Sequence, residues 1–123
     1  MKILVIDDEP DVSLLFQQKF KKEIREGHVE FTYAFSAEEA LEHLEASEGK
    51  GYVLILSDIN MPGMSGLELL KILKSKFPDA YVYMITAYND PENYNRAMSI
   101  GANGYLTKPL DFNGLKNQLA ELK

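Results

Sequence analysis

Tyr52-Val53-Leu54-Ile55-Leu56-Ser57-Asp58 is an apolar run that ends abruptly in a carboxylate. Apolar residues in unbroken succession fit a strand buried on both faces, the habit of parallel sheets covered by helices. Gly49 and Gly51 punctuate the turn before it, and Met61-Pro62-Gly63 follows it. Upstream, Ile3-Leu4-Val5-Ile6 repeats the pattern and runs into Asp7-Asp8. Downstream, Tyr81 to Thr86 and Tyr105 to Thr107 do the same, the latter followed by Lys108. Val29 to Phe35 differs: Val29, Phe31, Tyr33 and Phe35 alternate with Glu30, Thr32 and Ala34, which predicts an edge strand with one wetter face.

Helical periods fill the gaps. From about Asp11, Val12, Leu15, Phe16, Phe20 and Ile24 form one stripe. Ser36 with Glu39, and Ser65 with Glu68, predict capping boxes that open the next two helices. Pro78-Asp79 ends the second of these. Pro91 to Ile100 is a helix closed by Gly101. Asp111 caps a last helix to Lys123, with Phe112, Leu115, Leu119 and Leu122 on one face. The expected architecture is α/β, a (βα)₅ doubly wound fold over residues 1–123 with five parallel strands and right-handed crossovers. One common order for such a sheet is 2-1-3-4-5, with ligands at the carboxyl ends of the strands.

Composition narrows the function classes. The 123 residues are 46% hydrophobic and 26% charged, ordinary for a globular domain. No cysteine is present, which excludes disulfides and thiolate metal sites. No apolar run approaches a bilayer-spanning length, and Met1-Lys2 leads straight into a strand with no signal-peptide pattern, so a cytoplasmic protein is expected. A net charge of −6 argues against a nucleic-acid surface. No glycine-rich phosphate loop supports ATP or NAD binding. His28 and His43 lack partners at ligand spacing and read as surface residues.

The chemistry sits at one rim. Parallel strands point their carboxyl ends the same way, so Asp7, Asp8, Asp58, Thr86 and Lys108 should converge although far apart in sequence. Taken singly, each has a bland reading: Asp7-Asp8 and Asp58 as turn aspartates, Thr86 as a strand former, Lys108 as a solvated lysine. Together they point to a site. Three crowded carboxylates raise one another's pKa unless a cation intervenes, and Mg²⁺ suits an oxygen-only set that must leave room for phosphate oxygens.

The stretches Ile6-Asp7-Asp8-Glu9, Leu56 to Gly66, Ile85-Thr86-Ala87-Tyr88 and Gly101 to Pro109 resemble the receiver domain of two-component response regulators. The resemblance covers essentially the whole chain, and no signature position of the family is missing. It implies a flavodoxin-like sheet and a phosphoacceptor switch in which Asp58 accepts a phosphoryl group from a phosphohistidine. It implies Mg²⁺ held by Asp7, Asp8, Asp58 and the backbone carbonyl of Asn60, with Lys108 as a positive charge on the same oxygens. Thr86 and Tyr105 would form the switch, changing a face built from the fourth helix, fifth strand and fifth helix. Asn60 and the bulky Tyr88 would set the rate at which water removes the phosphoryl group, and the bond before Pro109 would be cis. The donor would be a sensor histidine kinase or histidine phosphotransfer protein, the output protein unknown, and the chain a monomer or weak dimer. Catalysis would be confined to its own Asp58.

Two rivals remain. An aspartate-based phosphatase of the haloacid dehalogenase type needs a general acid two residues after its nucleophile, where this chain has Asn60. A receiver-like binding module that takes no phosphate usually lacks an acidic ligand, the threonine or the lysine, and all are present. The last helix lacks the arginine-rich pattern of transcription-factor receivers, which favours a stand-alone receiver over an excised domain.

Overall fold

The apolar runs become five parallel strands, β1 (Lys2–Ile6), β2 (Glu30–Ala34), β3 (Leu54–Asp58), β4 (Val82–Thr86) and β5 (Gly104–Thr107), in the order β2-β1-β3-β4-β5. This computed structural model describes residues 1–87 and 90–122. Tyr88 and Lys123, which entered the expectations above, lie outside the described residues. Among the described residues the helices are α1 (Pro10–Lys19), α2 (Lys21–Arg25), α3 (Ala37–Ala46), α4 (Gly66–Lys76), α5 (Pro91–Ile100) and α6 (Phe112–Glu121).

The central strands are apolar on both pleats because both faces are covered. One core joins Leu4, Ile6, Ile55 and Met84 to Ala37, Ala40, Leu44, Leu70 and Leu73 of α3 and α4. The other joins Ile3, Val5, Leu54 and Leu56 to Phe16 of α1 and Leu115 and Leu119 of α6. Burying a side chain of this size contributes roughly 1.5–3 kcal/mol, so two such layers hold the sheet rigid between them.

Caps set the helix starts. Ser36 accepts from the Glu39 N–H at 3.0 Å, and the Glu39 carboxylate accepts in return from the Phe35 N–H at 3.3 Å. Ser65 accepts from the Glu68 N–H at 3.2 Å. Gly101 closes α5 at φ +120°, in the left-handed region that glycine tolerates.

Two expectations need correction. The stripe from Asp11 to Ile24 is not one helix but two, α1 and α2, parted at Phe20 (φ −106°, ψ 20°). The hydrogen-bond ladder survives on either side, from the Phe20 N–H to Phe16 and from the Ile24 N–H to Phe20. Phe20 is drawn into an aromatic cluster with Phe16, Phe31 and Phe112, its ring centroid 5.0 Å from Phe31. The wetter face of the second strand is also wrong: Ala34 is only 1% exposed, beneath α3, whereas Phe35 is 40% exposed. Helices cover both sides of this edge strand, and a short alanine is what fits under α3.

Candidate functional site

The site grows from where three strands stop. Asp58 is the last residue of β3, paired across the sheet with Ile85 of β4. Asp7 follows β1, where its N–H donates to the Ala34 carbonyl at 3.1 Å and its carboxylate accepts from the Glu9 N–H at 3.0 Å. Asp58 Oδ1 accepts from the Asn60 N–H at 3.4 Å. Lys108 follows β5, its N–H on the Thr86 carbonyl at 2.8 Å, and the Lys108–Pro109 peptide is cis. The Lys108 Nζ reaches 3.2 Å from Asp58 Oδ2 and 3.7 Å from Asp7 Oδ2.

Carboxylate oxygens of Asp7, Asp8 and Asp58 all lie within 4.8 Å of one another. Asp7 and Asp58 are 5% and 3% exposed. Burial pushes the Asp58 carboxyl above its ordinary value, the Lys108 ammonium opposes this, and the Asp8 charge adds to the rise. Asp7 is likewise raised, first by burial, with Asp58 adding to the rise and the Glu9 N–H and Lys108 opposing it. Crowding alone was expected to lift these groups; burial is the larger cause. For Lys108, burial favours the neutral form, but Asp58 and Asp7 together outweigh it and the ammonium is held above its ordinary pKa. Thr86 is fully buried, and its Oγ1 has no hydrogen-bond partner among the described residues. A buried hydroxyl left unmatched costs about 1–3 kcal/mol, and such a group is ready for an incoming acceptor. An all-oxygen anionic donor set of this kind fits a hard divalent cation of the Mg²⁺ type.

Tyr105 lies half-buried on β5, its ring edge-on to Tyr94 of α5 at 4.8 Å and 86°. Its hydroxyl donates to the Asp90 carbonyl at 3.4 Å. Asp90 caps α5, accepting from the Asn93 N–H at 3.2 Å and from Asn93 Nδ2 at 2.7 Å. Burial pushes the Tyr105 phenol up, with the facing Thr86 side chain acting the other way. The rim thus collects Asp7, Asp8, Asp58, Asn60, Thr86 and Lys108, with Tyr105 two strand residues further back and Tyr88 outside the described residues.

Sequence reasoning missed the role of Gly66. A Cβ there would run into the Asp58 carbonyl and lie 2.7 Å from Ile59 Cα, while the Gly66 N–H donates to the Ile59 carbonyl at 2.8 Å. The start of α4 is therefore pressed onto the backbone that carries Asp58. A glycine at the first helical position, directly after a serine cap, is the available signal, since glycine is otherwise a poor helix residue. The cap at Asp90 was also missed, although an aspartate before Pro91 is a legible start.

Comparison with known proteins agrees with this geometry. A family model described as the response regulator receiver domain matches residues 3–120. The response regulator protein PilR of Pseudomonas aeruginosa is 34% identical over 97% of this chain, which spans about a quarter (25%) of that longer relative. Among solved structures, the Francisella response regulator 1452 receiver domain is 31% identical, with 98% of this chain and 94% of that one covered and a TM-score of 0.81. The response regulator TrrA of Thermotoga maritima, solved in complex with Mg²⁺–BeF, is 33% identical with 99% and 98% covered and a TM-score of 0.79. The chain belongs to the response regulator receiver domains.

Proposed function

We propose that this chain is a phosphoacceptor switch in which Asp58 takes a phosphoryl group from a phosphohistidine and alters the face formed by α5, β5 and α6. The observation that carries the reading is the meeting of three aspartates and the Lys108 ammonium around one point, on the rim where β4 ends in Thr86. A carboxylate oxygen of Asp58 attacks phosphorus, the P–N bond of the phosphohistidine breaks, and its electron pair stays on the imidazole, which takes up a proton from water. The product is an aspartyl phosphate.

Asp7, Asp8, Asp58 and the Asn60 carbonyl would hold Mg²⁺. When bound, the ion spreads the negative charge of the transferring group. Lys108 adds a positive charge on the same side, and its contact with Asp58 opposes the pull of burial on that carboxyl. Thr86 donates its hydroxyl to a phosphoryl oxygen, and Tyr105 responds to that movement. A phosphoryl group then favours one of two states by its differential contacts with them. Asn60 and Tyr88 would set the rate at which water removes the phosphoryl group, and replacing Tyr88 by Ala or Glu should shorten the lifetime of the aspartyl phosphate.

Donor and output are proteins in this reading, a sensor histidine kinase or histidine phosphotransfer protein on one side and an unidentified output protein or domain on the other. No separate substrate is turned over. Incubation with acetyl phosphate and Mg²⁺ followed by intact mass measurement tests the core claim. Wild type gains one phosphoryl mass and Asp58→Ala gains none; equal labelling of both would sink the assignment.

A further inference from the structure

β2 pairs with β1 alone, so one side of its main chain has no strand beside it. The Glu30 N–H donates to the Met1 carbonyl at 2.8 Å, and the Ala34 carbonyl accepts from the Asp7 N–H at 3.1 Å. Glu30, Thr32 and Ala34 therefore turn their main-chain groups toward β1. By alternation, the N–H and C=O groups of Phe31 and Tyr33 point outward, where no strand meets them among the described residues. A groove of about 610 Å³ lies beside this edge, between β2 and the segment of α1 and α2. Phe31 and Tyr33 line it from the strand, and Ile24, 37% exposed, lines it from α2 together with Lys21 and Arg25. Neither cation has a carboxylate partner among the described residues. Glu30 alone puts a negative charge on the groove wall against these two positive ones.

Strand addition draws affinity from main-chain hydrogen bonds and specificity from alternate side chains. Every second residue of an added strand would face α2, because successive side chains point to opposite faces of a sheet. We propose that the outer edge of β2 docks an extended segment of a partner protein, whose α2-facing side chains combine an apolar residue for Ile24 with acidic ones for Lys21 and Arg25. A second copy of this chain fits worse. Joining two β2 edges antiparallel about a two-fold axis sets α2 beside its own image, with Lys21 and Arg25 facing like charges. The net charge of −6 on each copy adds to that repulsion. The proposal makes no use of the acidic rim and stands apart from the phosphoacceptor reading.

The probe is a blocked peptide, Thr-Glu-Thr-Val-Thr-Glu-Thr, titrated into the full chain and followed by NMR amide shifts and hydrogen exchange. Binding at about 1 mM or tighter is expected, with exchange slowed at Phe31 and Tyr33 and little changed at Thr32, which is already paired. Of two versions N-methylated on alternate residues, one should lose binding and the other keep it, because only one set of amides faces β2. Lys21→Glu combined with Arg25→Glu changes exposed side chains only and should weaken binding about tenfold. A peptide with lysine in place of glutamate should reverse that preference. No change at Phe31 and Tyr33 with any peptide, or equal binding of both N-methylated versions, would overturn strand addition. Equal affinity of wild type for the lysine peptide would overturn the acidic partner. Self-association of the chain alone that protects the same two amides would make a second copy the occupant, and the proposal would be wrong.

Discussion

The two ends of the sheet are built from the same strands to opposite rules. At the amino end of β4 and β5, Asn103 Oδ1 accepts from the Val82 N–H at 2.9 Å and from the Lys74 Nζ at 2.7 Å, and that ammonium also donates to the Ala80 carbonyl at 2.8 Å. The Asn103 N–H returns a bond to the Val82 carbonyl at 2.8 Å. These groups pair with one another, although burial draws the Lys74 ammonium below its ordinary pKa. At the carboxyl end, two buried carboxyls sit above their ordinary pKa and the Thr86 hydroxyl has no partner among the described residues. One end is finished; the other awaits something. Crowded buried carboxyls kept against their own preference mark the end where stability has yielded to function.

Removing a polar group should therefore differ in sign between the two ends, whereas overpacking at the Asp58 backbone should cost stability outright. The largest effect is expected at Gly66. Gly66→Ala forces a methyl group onto the backbone of Asp58 and Ile59 and should cost about 3 kcal/mol, read from urea denaturation, with loss of acetyl phosphate labelling. Unchanged stability would mean that α4 can slide and that the carboxyl end is less tightly held than described. Next, Asn103→Ala strands the Val82 N–H and one Lys74 contact and should cost about 2 kcal/mol. A loss below about 0.5 kcal/mol would show that water replaces this network, and the contrast between the ends would weaken.

The smallest effect has the opposite sign. Asp58→Asn removes a buried charge and should stabilise the chain by about 1 kcal/mol at neutral pH without Mg²⁺. Its pH dependence follows from the raised carboxyl. A group whose folded-state pKa lies above the unfolded value binds more protons when folded, so its contribution is full below the ordinary 3.8 and is lost as pH rises through the folded value. Wild type should thus lose stability relative to Asp58→Asn across that acidic window, and Mg²⁺ should restore it at neutral pH by binding only the folded state. Parallel curves for the two proteins in EDTA would remove the charge-burial account of the site.

Much of this was legible beforehand because a parallel sheet converts sequence position into location. An unbroken apolar run followed by Asp58, and another followed by Asp7-Asp8, must end on the same rim, and the order β2-β1-β3-β4-β5 sets those two strands side by side. Where the reading failed, the deciding force was tertiary. The apolar stripe passes straight through Phe20, so periodicity cannot register a break caused by aromatic partners on β2 and α6. Ala34 is too small to declare a face, and only the helix above it shows why it is buried. The closeness of Gly66 to Asp58 depends on how a loop returns over a strand, which no local pattern encodes.

β5 is an edge strand hydrogen-bonded to β4 alone, and it belongs to both cores at once: Tyr105 packs against the layer of α3 and α4, and its neighbour Leu106 against the layer of α1 and α6. The two compartments thus share this ribbon as a partition, as they share the inner strands. Any shift of that ribbon, which carries Lys108 at its tip, registers on opposite sides of the molecule together, so a disturbance too small to repack either layer is announced by both.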